Sequence, residues 1–248
     1  MSARQRLDRA LVAAGLAESR ARAQALIAAG VVTVDGRVAA KPSEAVAAGV
    51  ALALTAEPNP WVSRAALKLV AALDAFGLAP NGTALDLGAS TGGFTEVLLA
   101  RGADHVHAVD VGHGQLHPRL REDPRVTLHE GVNARAIPPG LVPPVDWVTA
   151  DLSFISLTLV LPAALGCARP GAVLVALIKP QFEVGRGAVD KGGIVRDPAA
   201  RAAACDRVAD CLARLGWRVA AVIDSPLRGG DGNIEHLLAA TGPAMRPG

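Results

Sequence analysis

Four lysines stand among the 25 basic residues of this 248-residue chain: Lys41, Lys68, Lys179 and Lys191. The remaining basic residues are arginines, so the composition favours arginine wherever a charge alone suffices. A lysine can be brought to lose its proton; an arginine in effect cannot. Lys179 follows the apolar run Val173–Ile178, and Asp151 follows the apolar run Val145–Ala150. Lys68 lies in a helix-like stretch from Ser63 to Phe76, and Glu235 opens the last apolar run, to Ala240. Three of these four charges sit at predicted strand ends, where α/β sheets place their ligands. Two lysines and two acids suit removal of a proton from a poorly nucleophilic hydroxyl. A second lysine about 4 Å from the first disfavours its proton by roughly 4 kcal/mol at an effective dielectric near 20. That is about three pKa units, which the two acids oppose. The expected base is Lys179, with Lys68 and Glu235 tuning and orienting it and Asp151 aligning the attack. Asp151 could instead cap the helix that follows it.

The residues that would hold the electrophile lie between Thr83 and Arg101. A short apolar run ends at Gly88, a loop of small residues follows, and a helix-like stretch begins at Gly93. That is the strand–turn–helix unit on which nucleotide-like cofactors sit. Asp110 comes 22 residues after Gly88, at the end of the run Val106–Val109, and can accept hydrogen bonds from ribose hydroxyls. A dinucleotide fingerprint needs a glycine between Gly88 and Gly93; Ser90 stands there, and the pyrophosphate loses its close approach. Asp86 adds a negative charge near the loop, which disfavours a phosphate. S-adenosylmethionine fits this set: a sulfonium, an amino-acid tail, a ribose and no phosphate. Asp86, Gly88, Ser90, Gly92, Gly93 and Asp110 are its expected contacts. The chemistry implied is methyl transfer to a ribose hydroxyl.

The elements that must position these groups form an α/β pattern. Strands are expected at 83–87, 106–109, 126–129, 145–150, 173–178 and 219–224, alternating with helical stretches, as in a doubly wound sheet. Too little chain separates Asp224 from Glu235 for a crossover helix, so 235–240 must return antiparallel. Residues 1–57 read as a separate small αβ module. It has helices at Arg6–Ala14 and Arg20–Ala29, a Ser19 N-cap, a strand at 31–34, an Asp35-Gly36 hairpin turn and a strand at 50–55. Residues 58–62 read as a proline-bearing linker, and 63–248 as the catalytic domain.

Composition excludes several classes. Hydrophobic content is 51%, enough for a sizeable core, and net charge is +2, so any nucleic-acid surface must be local. Three cysteines, Cys167, Cys205 and Cys211, make no CxxC pair and no disulfide framework, which suits a cytoplasmic setting. The longest uncharged stretch, Leu152–Ala168, falls short of the roughly 20 apolar residues of a membrane span. His113 and His117 lack a third ligand at suitable spacing, so no metal site is expected.

Two resemblances sharpen this. Arg6-Leu-Asp-Arg9, Ser19-Arg20, Gly30-Val-Val-Thr-Val-Asp-Gly36 and Lys41-Pro42 resemble the alpha-L RNA-binding motif. The resemblance implies RNA phosphate contacts from Arg4, Arg6, Arg20, Arg22 and Lys41. The chain over essentially its whole length resembles the TlyA family of ribosomal RNA 2′-O-methyltransferases, sometimes labelled haemolysins, whose catalytic half is FtsJ-like. The matching motifs are Trp61-Val-Ser-Arg-Ala-Ala-Leu-Lys-Leu69, Leu85-Asp-Leu-Gly-Ala-Ser-Thr-Gly-Gly-Phe94, Val109-Asp-Val-Gly112, Asn133-Ala-Arg135, Asp151-Leu-Ser-Phe-Ile-Ser156, Lys179-Pro-Gln-Phe-Glu183 and Gly192-Gly-Ile-Val-Arg-Asp-Pro198. One departure is Ala65-Ala66, where the family usually has Gly-Gly.

This second resemblance implies a class I, Rossmann-like methyltransferase fold and a Lys-Asp-Lys-Glu tetrad at Lys68, Asp151, Lys179 and Glu235. It adds Thr91, Phe94, Val111, Asn133 and Asp151 to the cofactor contacts, with Asn133 near the adenine. Arg64 joins the RNA contacts. The implied substrate is a cytidine in rRNA, reached on ribosomal subunits, with no membrane partner. The loop Gly185–Pro198 either closes over the acceptor nucleotide, with Arg186, Lys191 and Arg196 on phosphates, or is an ordinary mobile surface loop. Phe154 either stacks on a base or belongs to the core. A membrane-acting haemolysin and a non-catalytic RNA-binding or assembly factor are the alternative functions.

Overall fold

The structure, a computed structural model, describes residues 4–28, 30–39, 41–55, 60–229 and 232–244. The chain folds as two compact units, residues 1–60 and 61–248. Residues 58 and 59 of the expected linker, and Ala29 at the expected end of the second helix, lie outside the described residues.

The first unit is built from β1 (Gln5–Arg6), α1 (Leu7–Ala13), α2 (Arg20–Ala28), β2 (Val32–Val34), β3 (Arg37–Val38), β4 (Ala45–Val46) and β5 (Leu52–Leu54). Its core is Leu7, Leu11, Leu26, Ile27, Val32 and Val46, apolar positions that the helical and strand spacings turn inward. The Ser19 hydroxyl accepts the Arg22 amide at 3.2 Å, as an N-cap does. Asp35 and Gly36 both have positive φ, 50° and 78°, the geometry of the tight hairpin turn between β2 and β3. Arg6 is not the first helical residue. Its backbone is extended and pairs with Ala45, so β1 and β4 form a small ladder too short to read from periodicity.

Asp8 organises the charged face of this unit. Its side chain is fully enclosed, and it accepts hydrogen bonds from Arg6 Nε (3.0 Å) and Nη2 (2.9 Å), Arg20 Nη2 (3.1 Å) and Gln24 Nε2 (3.1 Å). The Arg6 guanidinium holds the Asp8 carboxyl well below the usual carboxylate range. Arg6 and Arg20 remain about half exposed, so Asp8 fixes their inner faces and leaves the outer faces to solvent.

The second unit carries a seven-stranded sheet. Its elements are α3 (Ala66–Phe76), β6 (Thr83–Leu87), α4 (Gly93–Ala100), β7 (His105–Asp110), α5 (Pro118–Arg121), β8 (Val126–Glu130), β9 (Val145–Ala150), α6 (Leu157–Ala164), β10 (Ala168–Ile178), α7 (Pro180–Glu183), α8 (Pro198–Arg214), β11 (Arg218–Asp224) and β12 (His236–Thr241). The strand order is β11-β12-β10-β9-β6-β7-β8. Strands β6 to β10 run parallel; β12 lies antiparallel to both β10 and β11. This is the α/β architecture expected, with the last strand inserted into the gap that α8 leaves in crossing from β10 to β11. One face packs on α3 and α4 through Leu69, Leu73, Phe94 and Leu98. The other packs on α6 and α8 through Leu157, Leu161, Val208 and Leu212. Strand β10 begins earlier than expected, at Ala168, because Ala168 pairs with Val145 of β9 ahead of a register shift. No helix among the described residues is long and apolar enough to cross a membrane.

Replacing Asp8 by Asn removes the anion that both arginines share. Amide hydrogen exchange in α1 and α2 of D8N is expected to accelerate, while exchange in β6 and β9 stays at wild-type rates.

Candidate active site

The carboxyl ends of β6, β7, β9 and β10 open onto two neighbouring cavities. The larger, about 490 Å³, is lined by Gly88, Ser90, Asp110, Val111, Asn133 and Asp151, together with Gln115, Arg135, Ser153, Phe154 and Ile155 among others. The smaller, about 200 Å³, is lined by Gly88, Ser90, Thr91, Gly93, Phe94, Asp151, Ser153 and Lys179, with Ser63 and Ala65 from the start of the α3 segment.

Backbone conformation shapes the floor. Gly88 has φ 78°, and a Cβ there would come within 2.5 Å of the Asp151 carbonyl oxygen. Only glycine combines that dihedral with so close an approach of the β6 and β9 ends. Ser90 takes φ 48°, and its amide donates to Asp110 Oδ2 at 2.7 Å; the Gly112 amide donates to Oδ1 at 2.7 Å. Asp110 is thereby held at the rim of the larger cavity by two backbone amides. Asn133 is set by its own turn, its side-chain oxygen accepting the Arg135 amide at 3.0 Å. Val111 is 70% exposed and Phe154 91% exposed, so apolar surface faces water on the cavity wall.

The four charged residues form two ion pairs. Lys179 Nζ lies 2.7 Å from Asp151 Oδ1 and donates to Ser153 Oγ at 2.9 Å. Lys68 Nζ is paired with Glu235 Oε2, and both side chains are nearly buried. The β10–β12 register ends at Ile178↔His236, so Lys179 and Glu235 are the next residues on adjacent strands. Each lysine therefore meets a carboxylate directly. Within each pair the opposite charge offsets the desolvation of its partner. Ser156, not Asp151, caps α6: its hydroxyl accepts the Thr158 amide at 3.2 Å.

Comparison with known proteins decides the family. Residues 61–241 match the FtsJ-like methyltransferase family, and residues 5–52 match the S4 domain. The Mycobacterium tuberculosis 16S/23S rRNA (cytidine-2′-O)-methyltransferase TlyA is 54% identical over 241 residues, 96% of this chain and 90% of that protein. The chain belongs to the TlyA family. It is an rRNA 2′-O-methyltransferase with an S4 domain ahead of its catalytic domain. Brachyspira hyodysenteriae Hemolysin A is 39% identical, with 94% of this chain and 98% of that protein covered. The solved structure of a hemolysin-named protein from Streptococcus thermophilus superposes with a TM-score of 0.76 at 38% identity, covering 98% of this chain and 90% of that one.

Within this TlyA-family chain, several expected contacts have other work. Asp86 lines neither cavity. It is fully buried and accepts hydrogen bonds from Thr95 Oγ1 (2.7 Å) and Thr149 Oγ1 (2.9 Å), tying β6 to α4 and β9. Burial pushes its carboxyl up to about 6, against the two threonine hydroxyls. Gly92 lines neither cavity; it precedes α4 with φ 97°, and a Cβ there would strike Leu116 and Leu120. Phe94 only borders the smaller cavity, its ring 3% exposed in the core. Phe154, conversely, is not core.

The expected RNA contacts are spread over both units. Arg4, Arg6, Arg20 and Lys41 are exposed on the first unit, and Arg22 is half-buried there. Arg64, Lys191 and Arg196 are exposed on the second, with Arg196 Nε bonded to Asp190 at 2.8 Å. The Arg186 side chain lies outside the described residues. The glycine-rich loop is fastened. Asp190 Oδ1 accepts the Gly192 and Ile194 amides, both at 2.8 Å. Asn233, fully buried, accepts the Val195 amide at 2.9 Å and donates to the Gly193 carbonyl at 2.9 Å.

Sequence reading missed Ser153, Glu183 and Asn233. Asn233 stands two residues before Glu235, and Ser153 two after Asp151; that proximity was the available signal.

The raised carboxyl of Asp86 makes stability depend on pH. Its folded value exceeds its unfolded value, so its contribution is full below about pH 4 and is lost as pH rises through about 6. The loss approaches roughly 3 kcal/mol. Urea unfolding across that range is expected to show this component in wild type and not in Asp86→Asn. The Asn amide keeps one accepted and one donated bond to the two threonines.

Proposed function

We propose that the chain transfers the methyl group of S-adenosylmethionine to the 2′-hydroxyl of a cytidine in rRNA, with assembled ribosomal subunits as substrate. The observation that carries this reading is the ion-paired set Lys68–Glu235 and Lys179–Asp151, at the strand ends of a chain 54% identical to a cytidine-2′-O-methyltransferase.

The residues present fit the cofactor. The larger cavity, about 490 Å³, offers a carboxylate to ribose hydroxyls at Asp110, exposed apolar surface to an adenine at Val111, and an amide beside it at Asn133. Gly88, Ser90, Thr91 and Gly93 form the adjoining floor, where an amino-acid tail would lie against backbone. When bound, S-adenosylmethionine supplies an electrophilic methyl on a positively charged sulfur. Asp151 borders both cavities, so its carboxylate favours that charge and sets the direction of attack. Lys179 first gives up to solvent the proton it carries in the ion pair and then accepts the proton of the 2′-hydroxyl at Nζ, with Asp151 and Ser153 holding Nζ in place. Lys68 and Glu235 fix the other side of the site.

The exposed ring of Phe154 supports stacking on the acceptor base. Its φ is 64°, a conformation uncommon for a bulky side chain, and the Phe182 ring lies 5.2 Å from it. Base–aromatic stacking is worth about 1–3 kcal/mol. Arg4, Arg6, Arg20, Arg22 and Lys41 of the S4 domain would contact rRNA phosphates, with Arg64, Arg186, Lys191 and Arg196 adding phosphate contacts from the catalytic domain. Such contacts position an enzyme without reading sequence. An rRNA substrate places the work in the cytoplasm.

The test is transfer of labelled methyl from S-adenosylmethionine to unmethylated small and large subunits, followed by mapping of the label. Label on a cytidine 2′-oxygen supports the reading; no label in any rRNA overturns it. Lys179→Ala is expected to lose on the order of 10²–10⁴-fold in turnover while binding S-adenosylhomocysteine like wild type. Near-wild-type turnover of K179A would remove Lys179 from the role of base. Release of dye from liposomes by the pure protein would restore the haemolysin alternative.

A further inference from the structure

We infer that Glu183 is a positioning residue for methyl transfer, its buried carboxylate fastening the Asp151–Ser156 loop to the turn that begins after Lys179. The inference rests on the reading of Asp151, Phe154 and Lys179 given above.

The loop joins β9 to α6. Asp151 stands at its start, Phe154 in its middle and Ser156, the cap of α6, at its end. A left-handed aromatic residue with its ring in water gains nothing from its own packing, so contacts on either side must hold it. Those contacts come from one short element. Lys179 precedes α7, and Glu183 ends it. At the loop's start, Lys179 holds Asp151 and Ser153. In its middle, Phe182 meets Phe154. At its end, Glu183 Oε2 accepts the Ser156 hydroxyl at 2.6 Å and Oε1 accepts the Leu157 amide at 2.8 Å.

Glu183 is 3% exposed, and burial raises its carboxyl against Ser156, Leu157 and the more distant Arg207. Ser156 serves the Thr158 amide of α6 and Glu183 the Leu157 amide, so the carboxylate closes the start of α6 and at the same time ties it to the turn after Lys179. What the carboxylate adds is a fixed separation between the proposed base and the loop that faces the acceptor nucleotide.

Three variants and one double-mutant cycle test this. Glu183→Gln can keep both bonds: its oxygen accepts the Leu157 amide and its NH₂ donates to Ser156 Oγ. Glu183→Ala keeps neither, and Glu183→Met fills the space without them if the alanine variant does not fold. Rates are measured per folded site, counted by S-adenosylhomocysteine titration, well below each melting temperature. The alanine or methionine variant is expected to lose on the order of 10²-fold in kcat/KM for the subunit, with Gln within a few-fold of wild type. Phe154→Ala is expected to cost far less in the Glu183→Ala background than in wild type, because both act through one loop. Wild-type kcat/KM in Glu183→Ala overturns the inference. So does equal loss in Gln and Ala, or strict additivity with Phe154→Ala. If Asp151→Ala and Phe154→Ala themselves keep full turnover, the reading of the site falls instead.

Discussion

Strand β12 enters the sheet against the direction of its neighbours, and the charged site depends on that reversal. In a parallel sheet only the carboxyl ends of strands meet at the ligand edge. Asp151 and Lys179 arrive there as β9 and β10 run out. Glu235 arrives because β12 starts at that edge. Register then matters as much as direction, since a one-residue slip would turn Glu235 to the opposite face. The Ile178↔His236 pairing sets it, and Gly229 leaves the space, since a Cβ there would lie 2.6 Å from Glu235 Oε1. From α3, Lys68 then reaches the carboxylate so presented.

Burial separates carboxylates that the sequence presents alike. Asp86 and Asp110 both belong to strand ends flanking the same glycine loop. Asp86 points into the body of the sheet and serves as a hydrogen-bonded tie among β6, α4 and β9. Asp110, at the rim, keeps its surface toward the larger cavity while two amides hold it. Glu183 and Asp8 are further buried acids, each accepting several donors. A buried ion or carboxylate is costly unless its lone pairs are filled. In each case here the donors come from segments that need to be held together.

Much of the fold was legible in the chain. Apolar runs at 83–87 and 145–150 match β6 and β9 residue for residue, and the antiparallel last strand follows from the short connection before it. The Ser19 cap and the Asp35-Gly36 turn were equally local. The β1–β4 ladder escaped because two-residue strands carry no period. In the site, the four charged residues and the glycine loop were readable from type and placement. Their pairing was not: Lys68 and Glu235 are 167 residues apart, and spacing says nothing of which acid a lysine will meet.

The sequence by itself determined most of the secondary elements, the α/β class and the chemical inventory, because hydrophobic periodicity and turn residues act over a few neighbouring positions. The tertiary structure alone decided which lysine meets which acid, that Asp86 is enclosed, that Phe154 is exposed, and that Glu183 and Asn233 clasp loops from elsewhere in the chain. Burial and hydrogen-bond partnership depend on what folds over a residue, and that covering comes from chain far away in sequence.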